Sequence, residues 1–416
     1  MAGSDVIVLG AGMVGVSSAL HLQKRGQAVV LVDRRGAGEE TSYGNTGIIQ
    51  REGVVPYPFP RDGPLLLRYA FNRLPESHLH WRALPAIAPW LFRYWRASTP
   101  AAIAASSRGA RPLIERCVIE HETLMGEAGA LSLLRRTGYL RLYRSAPALD
   151  SAMLKDKAAS EAYDVKFEML SAGGLGALEP HLKGQLAGAM FLPDPVSVSD
   201  PEAVTKAYAR LFQERGGRFA RGEAGTLKAT PRGWEVQTAS GMVSAPAVVI
   251  ALGPWSDTIF RRLGYRIPFG VKRGYHMHFR AEGNATLNRP VVDAEHGYAL
   301  TPMARGIRLT TGAEFALRDA PPTPVQLARV EPLARQIFPL GERLDAQAWL
   351  GRRPCLPDML PAVGRGGRHS GLWFNFGHHH LGFTLGPVTG RLLAEMMTGE
   401  TPLTDTAPYG PERFGS

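Results

Sequence analysis

The beginning of the chain contains a glycine pattern that lies between two apolar runs. The run Val6–Leu9 predicts a fully buried strand of the parallel type, and apolar residues at helical spacing follow the glycines. Gly10, Gly12 and Gly15 have the order G-x-G-x-x-G. In such a loop the first glycine permits a tight turn, the second lets a pyrophosphate approach the backbone, and the third lets the helix pack on the strand. The pattern therefore predicts a βαβ unit with phosphate at a helix N-terminus.

An acid at the end of the next strand makes this pattern more specific. Val29–Val32 has the composition of a second buried strand, and Asp33 follows it directly. An acidic side chain at this point accepts hydrogen bonds from the adenosine ribose hydroxyls. Strand, helix, second strand and acid together predict dinucleotide binding, and the alternative is a glycine-rich loop without a ligand. The contacts predicted from this unit are Gly10, Ala11, Gly12, Met13, Val14, Gly15, Asp33 and Arg34.

Three further segments favour FAD over NAD. A small, hydroxyl-rich stretch at residues 40–49 can bind a second phosphate, whereas NAD enzymes usually continue into further βαβ units. An apolar strand ends at Gly253, and a Gly/His turn at residues 376–382 precedes a predicted helix whose N-terminus would stabilise negative charge on a reduced flavin. The predicted flavin contacts are Thr41, Ser42, Asn45, Thr46, Gly47, Ile48, Ala224, Gly253, Gly377, His378, His379, Leu381, Gly382, Phe383 and Thr384.

Several motifs in this order resemble the D-amino-acid oxidase superfamily of FAD-dependent amine oxidoreductases. They are Gly10–Gly15 with Asp33, Glu40–Ser42 with Asn45 and Gly47, Val271–Tyr275, Gly351–Pro354 with 357–364, and Gly377–Gly382. The resemblance covers nearly the whole chain and is closest to the bacterial D-amino-acid dehydrogenase branch. It implies an α/β fold, α+β overall. A Rossmann-like FAD-binding domain is expected from residues 1–50, 196–260 and 346–416, and a mixed-sheet substrate domain from residues 51–195 and 261–345.

Arg353 is the first candidate for binding a substrate carboxylate. It lies in a Gly-Arg-Arg-Pro motif, where Pro354 imposes an extended or turn conformation on the residue before it. A guanidinium offers a planar fork that matches a carboxylate, and the resemblance implies that the arginine before this proline has that role. The alternative is that Arg352 or Arg353 pairs with a nearby acid. Tyr298 is expected, by the same resemblance, to donate to the carboxylate; the alternative is a core tyrosine with its hydroxyl at the rim.

The triplet His378–His380 resembles a metal-binding run at first sight. Consecutive residues in a turn point in different directions, and no cysteine or acid lies beside them, so we expect no metal. His380 is the member expected to face the flavin or substrate, while the role of the triplet stays open. The proline-rich segment 54–60, which contains Tyr57, is either a lid over the pocket or a surface loop.

Composition limits the partners and the compartment. Lys plus Arg is 48 and Asp plus Glu is 37, a net charge of +11 that suits anionic partners, but the basic residues are scattered, so no nucleic acid is expected. No apolar stretch approaches the ~20 residues that span a bilayer. The leader Met1–Asp5 carries an acid and no basic residue, unlike a signal peptide. Together with only two cysteines, these features predict a cytoplasmic protein. An aromatic and basic segment at residues 81–96 suits either the inner face of the plasma membrane or packing on the substrate sheet.

The sequence therefore predicts FAD-dependent oxidative deamination of a D-amino acid. Hydride transfer from Cα to flavin N5 avoids a carbanion, which fits the absence of an obvious acid/base pair, and the imino acid product then hydrolyses to a 2-oxo acid and ammonia. Electrons pass to a quinone or another carrier, or to O2; the branch resemblance favours a carrier. The alternatives are a secondary amine, an imino acid or a 2-hydroxy acid as substrate, an FAD-binding subunit of a larger dehydrogenase, and a nicotinamide dehydrogenase. Stereochemical preference and oligomeric state stay open.

Overall fold

The computed structural model describes residues 4–415, so the expectation for the leader falls partly outside the described residues. The strands are β1 (Val6–Leu9), β2 (Val29–Asp33), β3 (Ile48–Ile49), β4 (Ser77–Leu79), β5 (Leu134–Arg135), β6 (Tyr139–Tyr143), β7 (Glu168–Ser171), β8 (Gly188–Leu192), β9 (Val196–Val198), β10 (Arg218–Arg221), β11 (Lys228–Thr230), β12 (Gly233–Thr238), β13 (Gly241–Ala245), β14 (Ala247–Ile250), β15 (Gly270–Ala281), β16 (Val291–Asp293), β17 (Tyr298–Met303), β18 (Gly306–Thr310), β19 (Ala313–Phe315), β20 (Leu340–Arg343), β21 (Trp349–Cys355), β22 (Ala362–Arg365) and β23 (Leu372–Phe376). The α-helices are α1 (Met13–Gln23), α2 (Gly63–Ala70), α3 (Leu84–Arg96), α4 (Pro100–Glu127), α5 (Ala146–Tyr163), α6 (Ala172–Leu178), α7 (Pro201–Glu214), α8 (Ser256–Phe260), α9 (Val325–Ile337) and α10 (Gly382–Thr398).

A six-stranded sheet in the order β10-β2-β1-β14-β23-β22 contains the glycine motif. All its pairings are parallel except that of β22 with β23. Both faces are covered, so β1 is apolar throughout: Val6 and Val8 pack into the core formed with α1, α4, α7 and α10, while Ile7 and Leu9 face the opposite core. The small sheet β11-β12-β13 contributes Trp234 to that second core. The predicted Rossmann-like arrangement is confirmed.

An eleven-stranded mixed sheet forms the other large layer. Its longest strand, β15, pairs antiparallel with β18, β19, β20 and β21, whereas β16 lies parallel to β6. Apolar residues of α9 cover one face of this sheet. The mixed α/β class predicted from sequence is therefore confirmed. β21, which the sequence assigned to segment 346–416, hydrogen-bonds to β15 in the large sheet.

Within residues 4–415, no helix is both long enough and apolar enough to cross a bilayer.

Candidate active site

A cavity of about 370 Å³ opens at the carboxyl ends of the central parallel strands. The loops after β1, β2, β14 and β23 all reach it, as expected for a ligand site in an open parallel sheet. The predicted site residues that line it are Gly10, Gly12, Met13, Val14, Asp33, Arg34, Thr41, Ser42, Asn45, Ala224, Gly253, Arg353, His378, His379, His380, Gly382 and Phe383.

The remaining predicted contacts lie behind the cavity wall. Those that do not line it are Ala11, Gly15, Thr46, Gly47, Ile48, Gly377, Leu381, Thr384 and Tyr298. Several of these residues instead hold together the elements that form the cavity wall. The Thr384 hydroxyl donates to the Ile48 carbonyl at 3.3 Å and accepts from the Gln50 amide at 3.2 Å, which joins α10 to β3. Leu381 lines a second cavity that is described below.

The glycine loop has the close approaches that its sequence predicts. Gly10 has a φ of +105°, and a Cβ there would lie 2.4 Å from the Ala251 carbonyl oxygen. A Cβ on Gly15 would lie 1.7 Å from the Gly10 oxygen, so only glycine lets α1 begin this close to β1. No side chain caps α1 at Gly12, while the Ser42 hydroxyl accepts from the Met13 amide at 2.9 Å. Ser42 therefore occupies the Met13 amide, and the rest of the first turn of α1 is available to a phosphate.

Asp33 is held at the rim of this loop by backbone donors. Its Oδ2 accepts from the Ala11 amide at 2.7 Å and its Oδ1 from the Arg35 amide at 3.0 Å. Burial raises the pKa of Asp33, and these two hydrogen bonds oppose that rise. Each oxygen keeps a lone pair for a ribose hydroxyl, so the geometry suits the role expected from sequence.

Trp255 was missed by the sequence analysis and lies on the same side of the cavity. It follows Gly253 in a short 3-10 helix, and the Arg34 guanidinium stacks over its ring at 4.3 Å. A tryptophan two residues after a strand-terminating glycine carries no specific signal, and only the fold brings it to Arg34.

Arg353 projects from β21 into the cavity. Its Nη1 donates to the Gly312 carbonyl at 2.7 Å and its Nη2 to the Thr311 carbonyl at 3.1 Å. A Cβ on Gly274 would lie 2.8 Å from Nη2, so that glycine makes room for the guanidinium. Within the described residues Arg353 has no ion pair with an acid, and burial lowers its pKa. An unpaired cation at a cavity wall suits an anionic ligand.

Arg352 differs from its neighbour in its partners. Its Nε donates to the Arg318 carbonyl at 3.0 Å and lies 4.0 Å from an oxygen of Asp319, and its guanidinium lies 5.7 Å from the Trp255 ring. The alternative reading, in which an arginine of this motif pairs with a nearby acid, therefore describes Arg352.

Tyr298 does not reach the cavity, which corrects the expectation that it donates to the substrate. It lies on β17 within the apolar core of the large sheet and is only 1% exposed. Its hydroxyl accepts from Arg144 Nη2 at 3.1 Å, and burial raises its pKa. The core-tyrosine alternative is the arrangement observed, because β17 directs this side chain away from the nucleotide side.

The three histidines have three different environments. His378 Nε2 hydrogen-bonds to the Thr389 hydroxyl at 3.0 Å, and His379 contacts the Met359 carbonyl and, at 3.1 Å, His380 Nδ1. Burial lowers the pKa of His378 and of His379 to about 3. Burial, followed by the charges of nearby groups that include Arg353, also lowers the pKa of His380. All three rings are therefore neutral near pH 7, and His380 contributes to the cavity wall without adding charge.

A compact group of possible metal ligands lies elsewhere, on β15 and the loop after β20. One atom each of His276, His278 and Asp345 lies within 4.8 Å of the others. His278 uses Nδ1 for Asp345 at 2.7 Å, and its Nε2 accepts from Arg308 Nε at 3.0 Å. Because the guanidinium uses that lone pair and carries positive charge, the group is a buried hydrogen-bond network.

A second cavity of about 200 Å³ adjoins the first. His379 and His380 line both cavities, so these two side chains form the wall between them. Gln50 and Tyr57, from the segment noted in the sequence, line the second cavity together with Glu52 and Arg141. The two charged residues were missed because nothing in the sequence relates the loop after β3 to β6.

One residue that lines the first cavity has a buried polar atom without a hydrogen-bond partner among the described residues. Asn375 is fully buried on β23 and lines the cavity, and its Oδ1 has no hydrogen-bond partner. The glycine cradle, the bare start of α1, Asp33 and this amide oxygen fit an FAD molecule extended along the carboxyl edge of the sheet. Fold and site thus point to a dinucleotide-dependent oxidoreductase whose cavity has a cationic side chain, Arg353, in its wall.

The comparisons with known proteins identify the family. The family model of FAD dependent oxidoreductases named DAO matches residues 5–396. A D-amino acid dehydrogenase of Cereibacter sphaeroides (strain ATCC 17029 / ATH 2.4.9) is 33% identical over 431 residues, covering 98% of this chain and 95% of that protein. A D-amino-acid oxidase of Bradyrhizobium diazoefficiens is 28% identical over 427 residues, covering 99% of both chains. The chain belongs to the DAO family and is an FAD-dependent amino acid oxidoreductase.

Solved structures agree with this fold. Glycine oxidase from Geobacillus kaustophilus aligns with a TM-score of 0.75 and 22% identity, covering 99% of both chains. L-proline dehydrogenase from P. horikoshii aligns with a TM-score of 0.73 and 21% identity, covering 99% of this chain and 98% of its own. The predicted family, fold class and cofactor are confirmed.

Proposed function

We propose that this chain oxidises D-amino acids at Cα to imino acids, which water then hydrolyses to 2-oxo acids and ammonia. The observation that carries the proposal is Arg353, a guanidinium at the cavity wall without an acidic partner among the described residues. Relatives named D-amino acid dehydrogenase, at about 30% identity over nearly the full chain, support the D-amino acid as substrate class. Structural neighbours are named for glycine, proline and iminodiacetate, compounds that share a carboxylate. This supports carboxylate binding as the common feature, while the preferred side chain is a property of each protein.

In the proposed reaction Arg353 binds the substrate carboxylate through N–H groups that its hydrogen bonds to Thr311 and Gly312 leave free. Its inner contacts to the Thr311 and Gly312 carbonyls fix the direction of the fork, so the carboxylate is bound in one orientation. The hydrogen leaves Cα with its electron pair, and bound FAD supplies the two-electron acceptor. No side chain is then needed as a base at Cα, and the neutral histidines of the wall exclude water without offering charge.

We further propose that the electrons pass on to a quinone or another carrier at a membrane surface. The support is a group of exposed apolar and basic side chains within residues 61–96, which include α2 and α3. Its apolar members are Leu67, Phe71, Trp81 and Phe92. Its basic members are Arg61, Arg68, Arg73, Arg82, Arg93 and Arg96. Trp90, by contrast, packs inward and donates to the Cys355 carbonyl at 3.1 Å.

Anaerobic mixing of the purified flavoprotein with matched enantiomers tests the substrate class. Alanine, leucine, lysine and methionine in both forms, with glycine, sarcosine and proline, are each added while the absorbance of oxidised flavin is followed. We expect rapid bleaching with D-amino acids and little with their L-forms. Bleaching only by the secondary amines or only by L-forms would contradict the D-amino acid assignment, and no bleaching by any compound would indicate a subunit that acts only within a larger dehydrogenase.

A further inference from the structure

One residue that lines the second cavity has a buried carboxylate oxygen without a hydrogen-bond partner within residues 4–415. Glu52 is 8% exposed, and its Oε1 accepts from the Tyr139 hydroxyl at 2.7 Å. Its Oε2 is buried and has no hydrogen-bond partner. A buried acceptor of this kind costs free energy unless a ligand or water occupies it, and Glu52 is one of the residues that line the second cavity.

Acidic and basic side chains that line the second cavity are Glu52, Asp156 and Arg141. Arg141 is the cation of the group, but its Nη1 lies 3.3 Å from Asp156 and its Nη2 lies 3.9 Å from Glu52 Oε1. Its Nε donates to the Tyr139 hydroxyl at 3.1 Å. One guanidinium therefore faces two carboxylates, and its shorter ion pair is with Asp156. Burial raises the pKa of Glu52 and Arg141 opposes that rise, so a second cation beside Oε2 would favour the ionised form.

A purely structural role for Glu52 would give a different arrangement. If the carboxylate served only to hold Arg141, we would expect a bidentate contact that used both oxygens, which is the usual geometry of a strong arginine–carboxylate pair. Instead the nearer oxygen is shared with Tyr139, and the other has no hydrogen-bond partner among residues 4–415.

The second cavity shares a wall with the cavity that Arg353 lines. His380 lies on the wall that the two cavities share, and the Tyr57 ring is 5.1 Å from its ring. A role for the second cavity in substrate binding requires that a substrate held by its carboxylate on Arg353 extends its side chain past His380 into that cavity. Apolar side chains of Val54, Leu113 and Leu360 line that cavity and suit a methylene chain.

We propose that the second cavity is the side-chain subsite of the active site and that Glu52 selects substrates with a cationic end group, an ammonium or guanidinium on an unbranched chain. This inference rests on the proposed function, because it requires the substrate carboxylate on Arg353. D-Lysine and D-arginine have the required chemistry. The ligand cation would donate to Glu52 Oε2, which satisfies the one oxygen of this group that lacks a partner.

Two substrates that differ only at the end group provide the test. D-Norleucine lacks the terminal ammonium of D-lysine, so the ratio of their kcat/KM values in the holoenzyme measures recognition of the charge. We expect the ratio to favour D-lysine in the wild type and to fall about 10- to 100-fold in Glu52→Gln, since hydrogen bonds to charged groups contribute roughly 1.5–3 kcal/mol. Glu115→Gln is the matched control, because Glu115 pairs with Arg111 on the exposed side of α4, and it should keep the wild-type ratio. An unchanged ratio in Glu52→Gln would overturn the inference.

A second measurement uses the wild-type protein alone and so does not depend on how the variant folds. Nε-Acetyl-D-lysine keeps the chain but removes its charge, and we expect its kcat/KM to fall relative to D-lysine by a similar factor. Equal values for the two compounds would also overturn the inference. If D-norleucine bleaches the flavin as well as D-lysine does, only the role of Glu52 is lost. If no D-amino acid bleaches it, the proposed function fails first.

Discussion

Two adjacent arginines show how much a single position matters at the scale of one residue. Arg352 and Arg353 share a motif and a strand, but the alternation of β21 directs them to different surroundings. Arg352 contacts Arg318, Asp319 and Trp255, whereas the Arg353 guanidinium hydrogen-bonds only to main-chain carbonyls in the part of the chain that the structure describes. Carbonyl partners orient a guanidinium without neutralising it, and for this reason Arg353 is the one available to a substrate carboxylate.

Replacing Arg353 by methionine should remove substrate binding while leaving the flavin in place. We expect kcat/KM for D-amino acids to fall at least about tenfold, since hydrogen bonds to charged groups contribute roughly 1.5–3 kcal/mol. Steady-state kinetics with a dye acceptor measure this, and the visible flavin spectrum reports the cofactor. Arg210→Met, on the exposed side of α7, is the matched control and should behave as the wild type. Equal kcat/KM values in the Arg353 variant and in this control would exclude the proposed role.

Sequence reasoning located the nucleotide side of the site better than the substrate side. The glycine loop and Asp33 are local in the chain, so spacing alone places them at one strand edge. Tyr298 and Glu52 depend instead on pairings between distant segments. Tyr298 sits on a strand predicted correctly, but its direction depends on which face α9 covers. Glu52 contacts Tyr139 and Arg141, which follow it by 87 or more residues in the sequence, and no local sequence pattern predicts such a contact.

At the scale of secondary-structure elements, three helices meet at one buried histidine. His121 on α4 hydrogen-bonds through Nδ1 to the Tyr208 hydroxyl of α7 at 3.1 Å, and through Nε2 to the Phe383 carbonyl of α10 at 2.8 Å. Phe383 lines the first cavity at the start of α10. Packing of α4 therefore supports the wall of the flavin site through a neutral imidazole.

This histidine should make the protein less stable as the pH falls. Burial lowers the pKa of His121 to about 4 in the folded state, whereas an unfolded histidine titrates near ~6.5. The stability of the folded state is therefore not reduced by His121 above pH ~6.5. Below that value it declines, because the unfolded chain binds a proton at this residue that the folded chain does not bind. At pH ~5 this effect should lower the free energy of unfolding by about 2 kcal/mol. His121→Gln should show a correspondingly shallower loss in the free energy of unfolding, measured by urea denaturation between pH ~7 and ~5.

His181→Gln provides the comparison for that experiment. His181 is exposed, with Thr286 as its partner, so its replacement should leave the pH dependence of unfolding unchanged. Identical slopes for wild type and His121→Gln would show that this imidazole does not contribute to the acid sensitivity.

At the scale of the whole molecule, the two large sheets contribute different groups to the site. The parallel sheet supplies the bare backbone for the nucleotide, while the mixed sheet supplies Arg353 on β21 and Arg141 on β6. Residues that were far apart in the sequence thereby surround two adjoining cavities. The exposed apolar and basic group on α2 and α3 belongs to neither cavity, and a role in packing does not account for it because its side chains face solvent.

That group should bind the wild-type protein to anionic vesicles. Apolar side chains insert at a lipid interface, and each nearby basic residue contributes about 1 kcal/mol at an anionic surface, an attraction that salt screens. We expect co-sedimentation with phosphatidylglycerol vesicles at low salt, and weaker binding at high salt or with phosphatidylcholine. Replacing Phe71 and Phe92 together by serine should lower the bound fraction about tenfold, because each buries apolar surface in the interface. Leu154→Ser, an equally exposed change on α5, should keep wild-type binding. If the double variant and Leu154→Ser sediment alike, this surface does not contact the membrane.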